Sequence, residues 1–267
     1  MSGTGRMERE ADEIERRYEE DRLMLERRSE EFEVIEEVFD RLTLEGVYKL
    51  IRRKVIDRIH GVLKAGKEAR IYWGESPEGR ELAIKIYYTA TAEFRRGMLK
   101  YIDGDPRFRR VRKDLRGLIY TWTQKEFKNL KLAEEAGVNA PRAIAFYRNI
   151  LVMTFIGKDG VPAPLLREVD LTEPEDFYRR LLREMRLLYI RARLVHGDLS
   201  EYNIMVSEEA PVIFDISQAV LIAHPMLDAL IRRDIGNVNA YFRRLGVEVF
   251  NDKTVELWVR GGAEDLS

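Results

Sequence analysis

Three side chains with oxygen donors lie at short intervals between Leu194 and Ser217. Asp198 comes first, Asn203 follows five positions later, and Asp215 ends the second of two short apolar runs typical of β-strands. We expect a tight loop to place Asp198 and Asn203 on one side, and a hairpin between the two runs to return Asp215 beside them. Three converging oxygen ligands suit a hard cation that also binds phosphate oxygens and water. These residues therefore predict a site for a metal ion and a phosphate compound.

The same residues match the arrangement that protein kinases use for phosphoryl transfer. In that arrangement Asp198 would orient the hydroxyl group that accepts phosphate, while Asn203 and Asp215 would hold the Mg²⁺ ions that bridge the nucleotide phosphates. The alternative is a structural role, in which Asp198 and Asn203 only cap the turns of a polar loop between a helix and a hairpin. Three matches at the right spacing, on the expected elements, favour the catalytic interpretation.

A lysine in the first half of the chain is the next candidate. Lys85 is flanked by Ile84 and Ile86 within the run from Glu81 to Tyr87, which predicts a buried strand. Burying an ammonium group costs free energy unless the group is paired. We therefore expect Lys85 to have a carboxylate partner and an anionic ligand, such as the α- and β-phosphates of a nucleotide.

Glu126 is the predicted carboxylate partner. It lies in an amphipathic segment from Trp122 to Ala136, which predicts a helix that ends at Gly137. The spacing of Thr123 and Glu126 is also that of a capping box, so a purely structural role for Glu126 remains the alternative.

Two backbone segments are expected to contact the nucleotide. A turn at Ala65, Gly66, Lys67 and Glu68 joins two predicted strands, and such a turn can direct backbone N–H groups at phosphates. The signal is weak alone, because the segment lacks the usual three glycines. A further strand pair over residues 141–154 leads through Thr154 and Ile156 to a glycine-bearing crossover. The adenine would bind backbone groups there.

Other segments define the organisation of the chain. Residues 6–42 predict a long charged helix, with a partner-binding coiled coil as the alternative, and residues 44–59 continue with a helical period. Residues 88–118 show no clean period and carry nine cations, which predicts either a flexible solvated loop or a surface for RNA or phosphate. Helices are also expected over residues 172–193, capped by Thr172, and 225–245, with a short closing element over 247–260.

Composition excludes several classes of protein. At 267 residues the chain can form one large core or two lobes with a cleft between them. The formal net charge of −1 argues against a globally basic nucleic-acid binder, and the absence of cysteine excludes disulfides and thiolate metal sites. The sequence starts without the apolar core of a signal peptide, and no later run is long enough to cross a membrane. A cytoplasmic protein that does not contact membranes is expected.

Five motifs together resemble the RIO-type atypical protein kinases, and within them the first (Rio one) branch as found in archaea. The likeness covers about residues 44–250, and its motifs are A-G-K-E-A-R-I-Y, K-E-F-K-N-L, L-V-H-G-D-L-S-E-Y-N, D-I-S-Q-A-V and H-P-M-L-D-A-L-I-R-R-D-I-G-N-V-N. The chain differs from conventional kinases at Ser200, where they have a lysine near the transferred phosphate, and at Ile216-Ser217, where they have Phe-Gly. Ala65 replaces the hydroxyl residue that is commoner in the family.

The resemblance implies an α+β fold, namely a trimmed two-lobed kinase that lacks the activation segment and the peptide-docking helices. A charged N-terminal helical extension would occupy residues 1–43, the first lobe 44–154 and the second lobe 155–267. The resemblance also implies that Lys85 binds phosphate and pairs with Glu126, and that Asp198 acts on the hydroxyl group. Asn203 and Asp215 would hold the metal.

The implied activity is that of a serine/threonine kinase that uses ATP with Mg²⁺, or Mn²⁺ in its place, and that phosphorylates itself. Some family members act chiefly as ATPases, with phosphate passing to the residue equivalent to Asp215. The implied partner is a precursor of the small ribosomal subunit, through its rRNA or its proteins. The alternatives are a small-molecule phosphotransferase, which shares Asp198 and Asn203, and an assembly factor that uses nucleotide turnover only as a switch.

Overall fold

A computed structural model describes residues 40–88, 92–108 and 114–266, which form two lobes connected after strand β5. The first lobe contains an antiparallel sheet with strand order β1-β2-β3-β5-β4. Its strands are β1 (Arg58–Ala65), β2 (Ala69–Glu75), β3 (Glu81–Tyr87), β4 (Ala143–Tyr147) and β5 (Ile150–Thr154). The helices that precede β4 are α1 (Arg41–Arg52), α2 (Ala92–Ile102) and α3 (Leu115–Ala136).

The second lobe combines helices with short strand pairs. Its helices are α4 (Pro174–Ile190), α5 (Leu227–Arg244) and α6 (Asp252–Val259). Its strands are β6 (Gly157–Lys158), β7 (Val161–Pro162), β8 (Leu194–Val195), β9 (Ile204–Ser207), β10 (Ala210–Ile213) and β11 (Val220–Leu221). β9 pairs with β10 and β8 with β11, both antiparallel, so the segment between β8 and β9 and the segment between β10 and β11 lie side by side.

Hydrophobic packing covers both faces of the large sheet. One cluster joins α1 to the sheet through side chains that are at most 1% exposed: Val47, Leu50, Ile59, Ile84 and Ile150. The other cluster lies on the α3 side and continues into the second lobe without a break. Each fully buried aliphatic side chain contributes about 1.5–3 kcal/mol relative to an exposed one, so this shared core fixes how the two lobes meet.

The connection between the lobes requires glycine at position 157. Gly157 has a φ of +153°, and a Cβ there would lie 2.2 Å from the carbonyl oxygen of Val161 and 2.7 Å from the ring of Phe155. No larger residue fits this approach of two backbone segments. The prediction of a glycine-bearing crossover after the strand pair agrees with this geometry.

Several element boundaries differ from the expectation, among them the start of α3, which lies at Leu115 instead of Trp122. The helix expected over 44–59 ends at Arg52, because Lys54 takes a left-handed φ of +57° and the chain then enters β1 at Arg58. The apolar residues beyond Arg52 therefore belong to the start of the sheet. Thr172 does not cap α4, whose N-cap is Glu173 without a side-chain cap bond, so Pro174 is the feature that begins this helix.

The expectation of a loop over 88–118 is wrong for most of the described part of that segment. It forms α2, a short 3₁₀ helix (Pro106–Phe108) and the first turn of α3. Met98, Tyr101 and Ile102 have helical spacing and are at most 3% exposed, so they anchor α2 to the main core. The surrounding cations obscured this short apolar period in the sequence. Residues 89–91 and 109–113 lie outside the described residues, as does the predicted charged helix before residue 40.

No helix in the described part of the chain has the length and apolar character needed to cross a membrane.

Candidate active site

A buried ion-pair network joins the two lobes. Lys85, on β3, has its Nζ 2.9 Å from Oε1 of Glu126 and 2.7 Å from Oδ1 of Asp215. The hydroxyl of Tyr87 donates to the other carboxylate oxygen of Glu126. The side chain of Glu126 is 1% exposed and that of Lys85 is 8% exposed, whereas Asp215 is 43% exposed and faces the cleft. Lys85 therefore links a buried carboxylate to one that a ligand can reach.

Glu126, the carboxylate partner expected for Lys85, does pair with it in the structure. Helix α3 begins at Leu115, where Asp114 accepts the N–H of Gly117 at 2.8 Å, and ends at Gly137 with a φ of +75°. Thr123 and Glu126 thus lie in the interior of the helix. The capping-box alternative is wrong, because both backbone groups that it would satisfy are already inside the helix.

For Lys85 and Asp215, charge pairing shifts the pKa more strongly than burial does. Burial would lower the pKa of Lys85, but Asp215 and Glu126 outweigh it and hold this pKa well above its usual value. Burial would raise the pKa of Asp215, but the charge and hydrogen bond of Lys85 hold it below its usual value. For Glu126 burial dominates, and its pKa is raised although Lys85 opposes the shift. Lys85 and Asp215 are therefore a charged pair at neutral pH.

Asn203 and Asp215 are brought together by the β9–β10 hairpin. Ile204 pairs with Ile213, and the next backbone N–H, that of Phe214, donates to the carbonyl of Asn203 at 3.1 Å. Asp215 then turns out of the hairpin with a left-handed φ of +57°, a conformation that is rare outside glycine and common at functional sites. The hairpin thus supplies the convergence that the sequence spacing predicts.

Asp198 follows a histidine that fixes the turn before it. His196 Nε2 lies 3.0 Å from the carbonyl oxygen of Phe214, and its Nδ1 accepts the N–H of Asp198 at 3.2 Å. A carbonyl can only accept, so the proton of the neutral ring lies on Nε2. The Asp198 carboxylate accepts from Gln218 Nε2 at 3.2 Å and lies 3.6 Å from Arg233.

Asp234 holds the backbone of this loop, a role that was not predicted from the sequence. Its carboxylate, on α5, accepts the N–H of Gly197 at 2.7 Å and that of Leu199 at 2.9 Å. Burial raises the pKa of Asp234 to about 6, although the hydrogen bonds from Gly197 and Leu199 oppose the shift. The signal in the sequence was an acidic residue inside an apolar helix face, whose buried carboxylate must find donors.

Two further residues, also missed, tie α3 to the segment that follows Asp215. Lys125 Nζ donates to the carbonyls of Ser217, at 2.9 Å, and Ala219. Asn129 Nδ2 donates to the carbonyl of Ile216 at 2.8 Å and to that of Ala219 at 3.0 Å. Lys125 and Asn129 are four positions apart and so share one face of the helix, and Glu126 follows Lys125 directly in the same helix. Glu126 and the Asp215 segment are therefore held in one fixed arrangement.

The predicted nucleotide loop is an exposed turn between β1 and β2. Ala65, Gly66, Lys67 and Glu68 are all exposed, and the N–H of Gly66 donates to the carbonyl of Ala69 at 3.0 Å. Although Glu68 is exposed, neighbouring protein atoms partly desolvate its carboxyl and raise its pKa, the charge of Asp215 raises this pKa further, and Lys85 opposes the shift. The Glu68 side chain therefore senses the charges of the cleft.

Thr154 and Ile156 lie where β5 passes into the second lobe. The hydroxyl of Thr154 accepts the N–H of Arg142 at 2.9 Å, and the carbonyl of Ile156 accepts the N–H of Ala163 at 2.9 Å. Within the described residues the N–H of Ile156 has no acceptor, so it is the backbone group at this position that a ligand can use.

The side chains at Asn203 and Asp215 fit a Mg²⁺ ion bound together with phosphate. Asn203 donates its Nδ2 to the carbonyl of Asp198 at 2.7 Å, which leaves its oxygen for another contact. The carboxylate of Asp215 is partly exposed, and among the described residues no group of three or more histidine or carboxylate side chains forms a protein-only metal site. Mg²⁺ is commonly held by one or two protein oxygens plus phosphate and water, which is what this pair offers.

Comparisons with known proteins support a single family. A family model described as the RIO domain matches residues 70–255. A protein of Methanocaldococcus jannaschii named RIO-type serine/threonine-protein kinase Rio1 is 38% identical over 256 residues, which cover 95% of this chain and 87% of that protein. A protein of the same name from Thermoplasma acidophilum is 41% identical over 175 residues, covering 66% of this chain and 91% of its own. Among solved structures, the Rio2 kinase–ADP/Mg²⁺–phosphoaspartate complex from Chaetomium thermophilum has a TM-score of 0.61 at 22% identity, covering 84% of this chain and 68% of that one.

The fold, the cleft and these relatives define a protein kinase of trimmed, two-lobed α+β form. Only residues 216–226 separate Asp215 from α5, which leaves no room for a long activation segment. The chain belongs to the RIO family of atypical serine/threonine protein kinases, and its relatives are of the Rio1 type. The fold class, the family and the kinase activity expected from the sequence are thereby confirmed.

Proposed function

We propose that the protein transfers the γ-phosphoryl group of ATP to a serine or threonine hydroxyl, on itself or on a partner, in the cleft between Lys85 and Asp198. The observation that supports this most strongly is the bridge from Lys85 to both Glu126 and Asp215. A buried cation held between two carboxylates from different elements is organised for an anionic ligand, and the kinase template assigns that ligand as the nucleotide phosphates.

Each predicted site residue has a role in this proposal. Lys85, oriented by Glu126, binds the α- and β-phosphates, while Asp198 orients the hydroxyl and receives its proton as the oxygen attacks the γ-phosphorus. The bond from that phosphorus to the bridging oxygen breaks, and ADP leaves. A bound Mg²⁺ supplies neutralisation of phosphate charge, and Asn203 and Asp215 are the residues that hold it. Positioning and electrostatics supply the rate enhancement.

The nucleotide base and the phosphate chain would be bound mostly by backbone. The N–H of Ile156, beside Thr154, is available to the adenine ring. The turn from Ala65 to Glu68 would present N–H groups to the phosphates. Ala65 has no hydroxyl group, so backbone rather than side-chain contacts are proposed at that position.

A hydrolytic cycle is a second activity of the same site. In it the carboxylate of Asp215 accepts the phosphoryl group and water later releases it, which makes the protein an ATPase. The partial exposure of Asp215 supports this route, because the carboxylate can reach a ligand. A neighbour by fold was solved with ADP, Mg²⁺ and phosphoaspartate, which is consistent with it.

We propose a precursor of the small ribosomal subunit as the partner, as the resemblance of the sequence motifs to the RIO family implies. The chain has almost no net charge, so contact with rRNA requires a local patch. Such a patch surrounds the ring of Tyr147, with Lys49 Nζ at 4.6 Å and the guanidinium carbons of Arg148 and Arg53 at 5.2 and 5.8 Å from its centroid. An aromatic ring among cations suits a nucleic acid.

The test is to incubate the protein with γ-labelled ATP and Mg²⁺ and to measure label in protein, in free phosphate and in added metabolites. We expect label in protein or in phosphate, with both lost in the Asp198→Ala variant and label in Asp215 lost in Asp215→Ala. The Asp198→Ala variant should still bind ATP. Label that passes instead to a small hydroxylated metabolite would replace the proposal with a small-molecule phosphotransferase. An Asp198→Ala enzyme with the full rate would refute the assignment of the site.

A further inference from the structure

The catalytic loop has a cation next to Asp198 that the loop itself does not encode. Conventional kinases carry a lysine at the position of Ser200, near the transferred phosphate, and this chain has only a hydroxyl there. Arg233, on α5, places its guanidinium nitrogen 3.6 Å from Oδ1 of Asp198. In the described part of the chain it is the only cation within ion-pair distance of that carboxylate. A helix of the second lobe thus supplies a charge where the loop has none.

The position of Arg233 relative to the catalytic loop is fixed by its neighbour in the helix. Asp234 is 2% exposed and binds two N–H groups of the loop, those of Gly197 and Leu199. Because Asp198 lies between these two residues, the backbone of Arg233 is held in constant register with it. The side chain also donates to the hydroxyl of Tyr101 at 3.4 Å. The backbone of Arg233 is therefore fixed relative to the loop, and its guanidinium group is also held by Tyr101 of α2.

The charge balance beside Asp198 favours a cation there in addition to the metal ion. Lys85 is already shared by Glu126 and Asp215, so its charge is offset before any phosphate binds. The transferred phosphoryl group would meet Asp198 on the other side, and two anions in contact repel each other unless a cation lies between them. Arg233 is 40% exposed, so a ligand can reach it.

We propose that Arg233 is a catalytic residue, whose guanidinium group bridges the Asp198 carboxylate and the oxygens of the transferred phosphoryl group, in place of the lysine absent at Ser200. This inference rests on the proposed kinase function. A guanidinium group presents a planar set of donors that can contact a carboxylate and a phosphate at the same time. The bridge is complete only when the phosphoryl group moves from ADP towards the hydroxyl beside Asp198, so it acts on the rate of transfer more than on the binding of ATP.

The neighbouring arginine offers a matched control. Arg232 is on the same helix, but its side chain pairs with Glu256 at 3.1 Å and is 67% exposed. The experiment measures kcat and KM for ATP in the wild type and in the variants Arg233→Met, Arg233→Lys, Arg232→Met and Asp198→Ala. Thermal unfolding of each variant checks that it is folded. We expect Arg233→Met to lose about 10²–10³-fold in kcat with KM within about threefold of the wild type.

The conservative variant separates a charge effect from a packing effect. Arg233→Lys restores part of the rate because it returns a cation without the planar fork, and Arg232→Met leaves the rate unchanged. A folded Arg233→Met enzyme with a kcat within twofold of the wild type, or faster, would overturn the inference, as would a loss confined to KM. If Asp198→Ala is inactive while Arg233→Met is active, only this inference fails. If Asp198→Ala keeps the wild-type rate, or the wild type transfers no phosphate, the proposed function fails and the role of Arg233 falls with it.

Discussion

Lys125 makes the stability of this protein depend on pH in a way that one substitution can remove. Its ammonium is fully buried and donates to two backbone carbonyls, those of Ser217 and Ala219. Burial, assisted by the charge of Arg107, lowers the pKa of Lys125 from 10.5 to about 7. The carboxylates of Asp105 and Glu126 oppose the shift without cancelling it. The perturbation is Lys125→Met, which keeps the length of the side chain and removes the titrating group.

The sign and size of the effect follow from linkage. Between pH 7 and pH 10.5 the unfolded chain holds a proton on Lys125 that the folded chain has released, so the wild type gains stability as pH rises through that window. Integration from pH 6 to pH 9 with these two pKa values gives a gain of about 2.5 kcal/mol for the wild type relative to Lys125→Met. Below pH 6 the group is charged in both states and the difference becomes constant.

The assay is urea unfolding of the wild type and the variant at constant ionic strength and at pH 6, 7, 8 and 9. The quantity to plot is the difference in the free energy of unfolding, because other titrating groups then cancel. Lys131→Met, which removes a lysine from the solvent-facing side of α3, controls for the loss of one positive charge. Parallel curves for the wild type and Lys125→Met, within about 0.5 kcal/mol over this range, would refute the reasoning, and so would a difference of the opposite sign.

Three further predictions concern residues that position the site. Glu126→Gln removes the buried charge that orients Lys85 and should raise KM for ATP and lower kcat about tenfold or more in steady-state assays; unchanged constants would show that Asp215 alone positions the lysine. Asp234→Asn offers only one acceptor for two loop N–H groups, so we expect a loss of about 1–3 kcal/mol in urea unfolding together with a lower kcat; an enzyme as stable and as fast as the wild type would contradict the anchoring role. Gly157→Ala forces a Cβ against a backbone carbonyl and should destabilise the protein by more than 1 kcal/mol in thermal unfolding; a neutral result would mean that the connection between the lobes can shift at no cost.

The pair at the centre of the site could be predicted because its members violate a rule of burial. Lys85 in an apolar strand required a carboxylate, and β3 spans the predicted residues 81–87. The hairpin that returns Asp215 to Asn203 was visible because two short apolar runs are separated by polar residues and the second run leads to Asp215. In both cases a short stretch of neighbouring residues was enough to predict the contact.

The residues that were missed have partners far away in the sequence. In the sequence Lys125 has the pattern of an ordinary polar residue of a charged helix, because the carbonyls that bind it come 92 and 94 positions later. Arg233 is one of many exposed cations until α5 is placed beside the loop of Asp198. The apolar period of α2 was hidden for another reason, since it is short and lies between runs of cations. Tertiary contacts, which a single sequence does not display, decided the first two cases.

The central claim is that Lys85 and the cleft residues of the second lobe bind a single nucleotide with its metal. The most direct measurement is a crystal structure of the protein with Mg²⁺ and a non-hydrolysable ATP analogue. We predict Lys85 on the α- and β-phosphates, Asn203 and Asp215 on the metal, and Asp198 beside the γ-phosphate. A nucleotide bound elsewhere, or one in this cleft that leaves Lys85 and Asp215 without contact to phosphate or metal, would contradict the account.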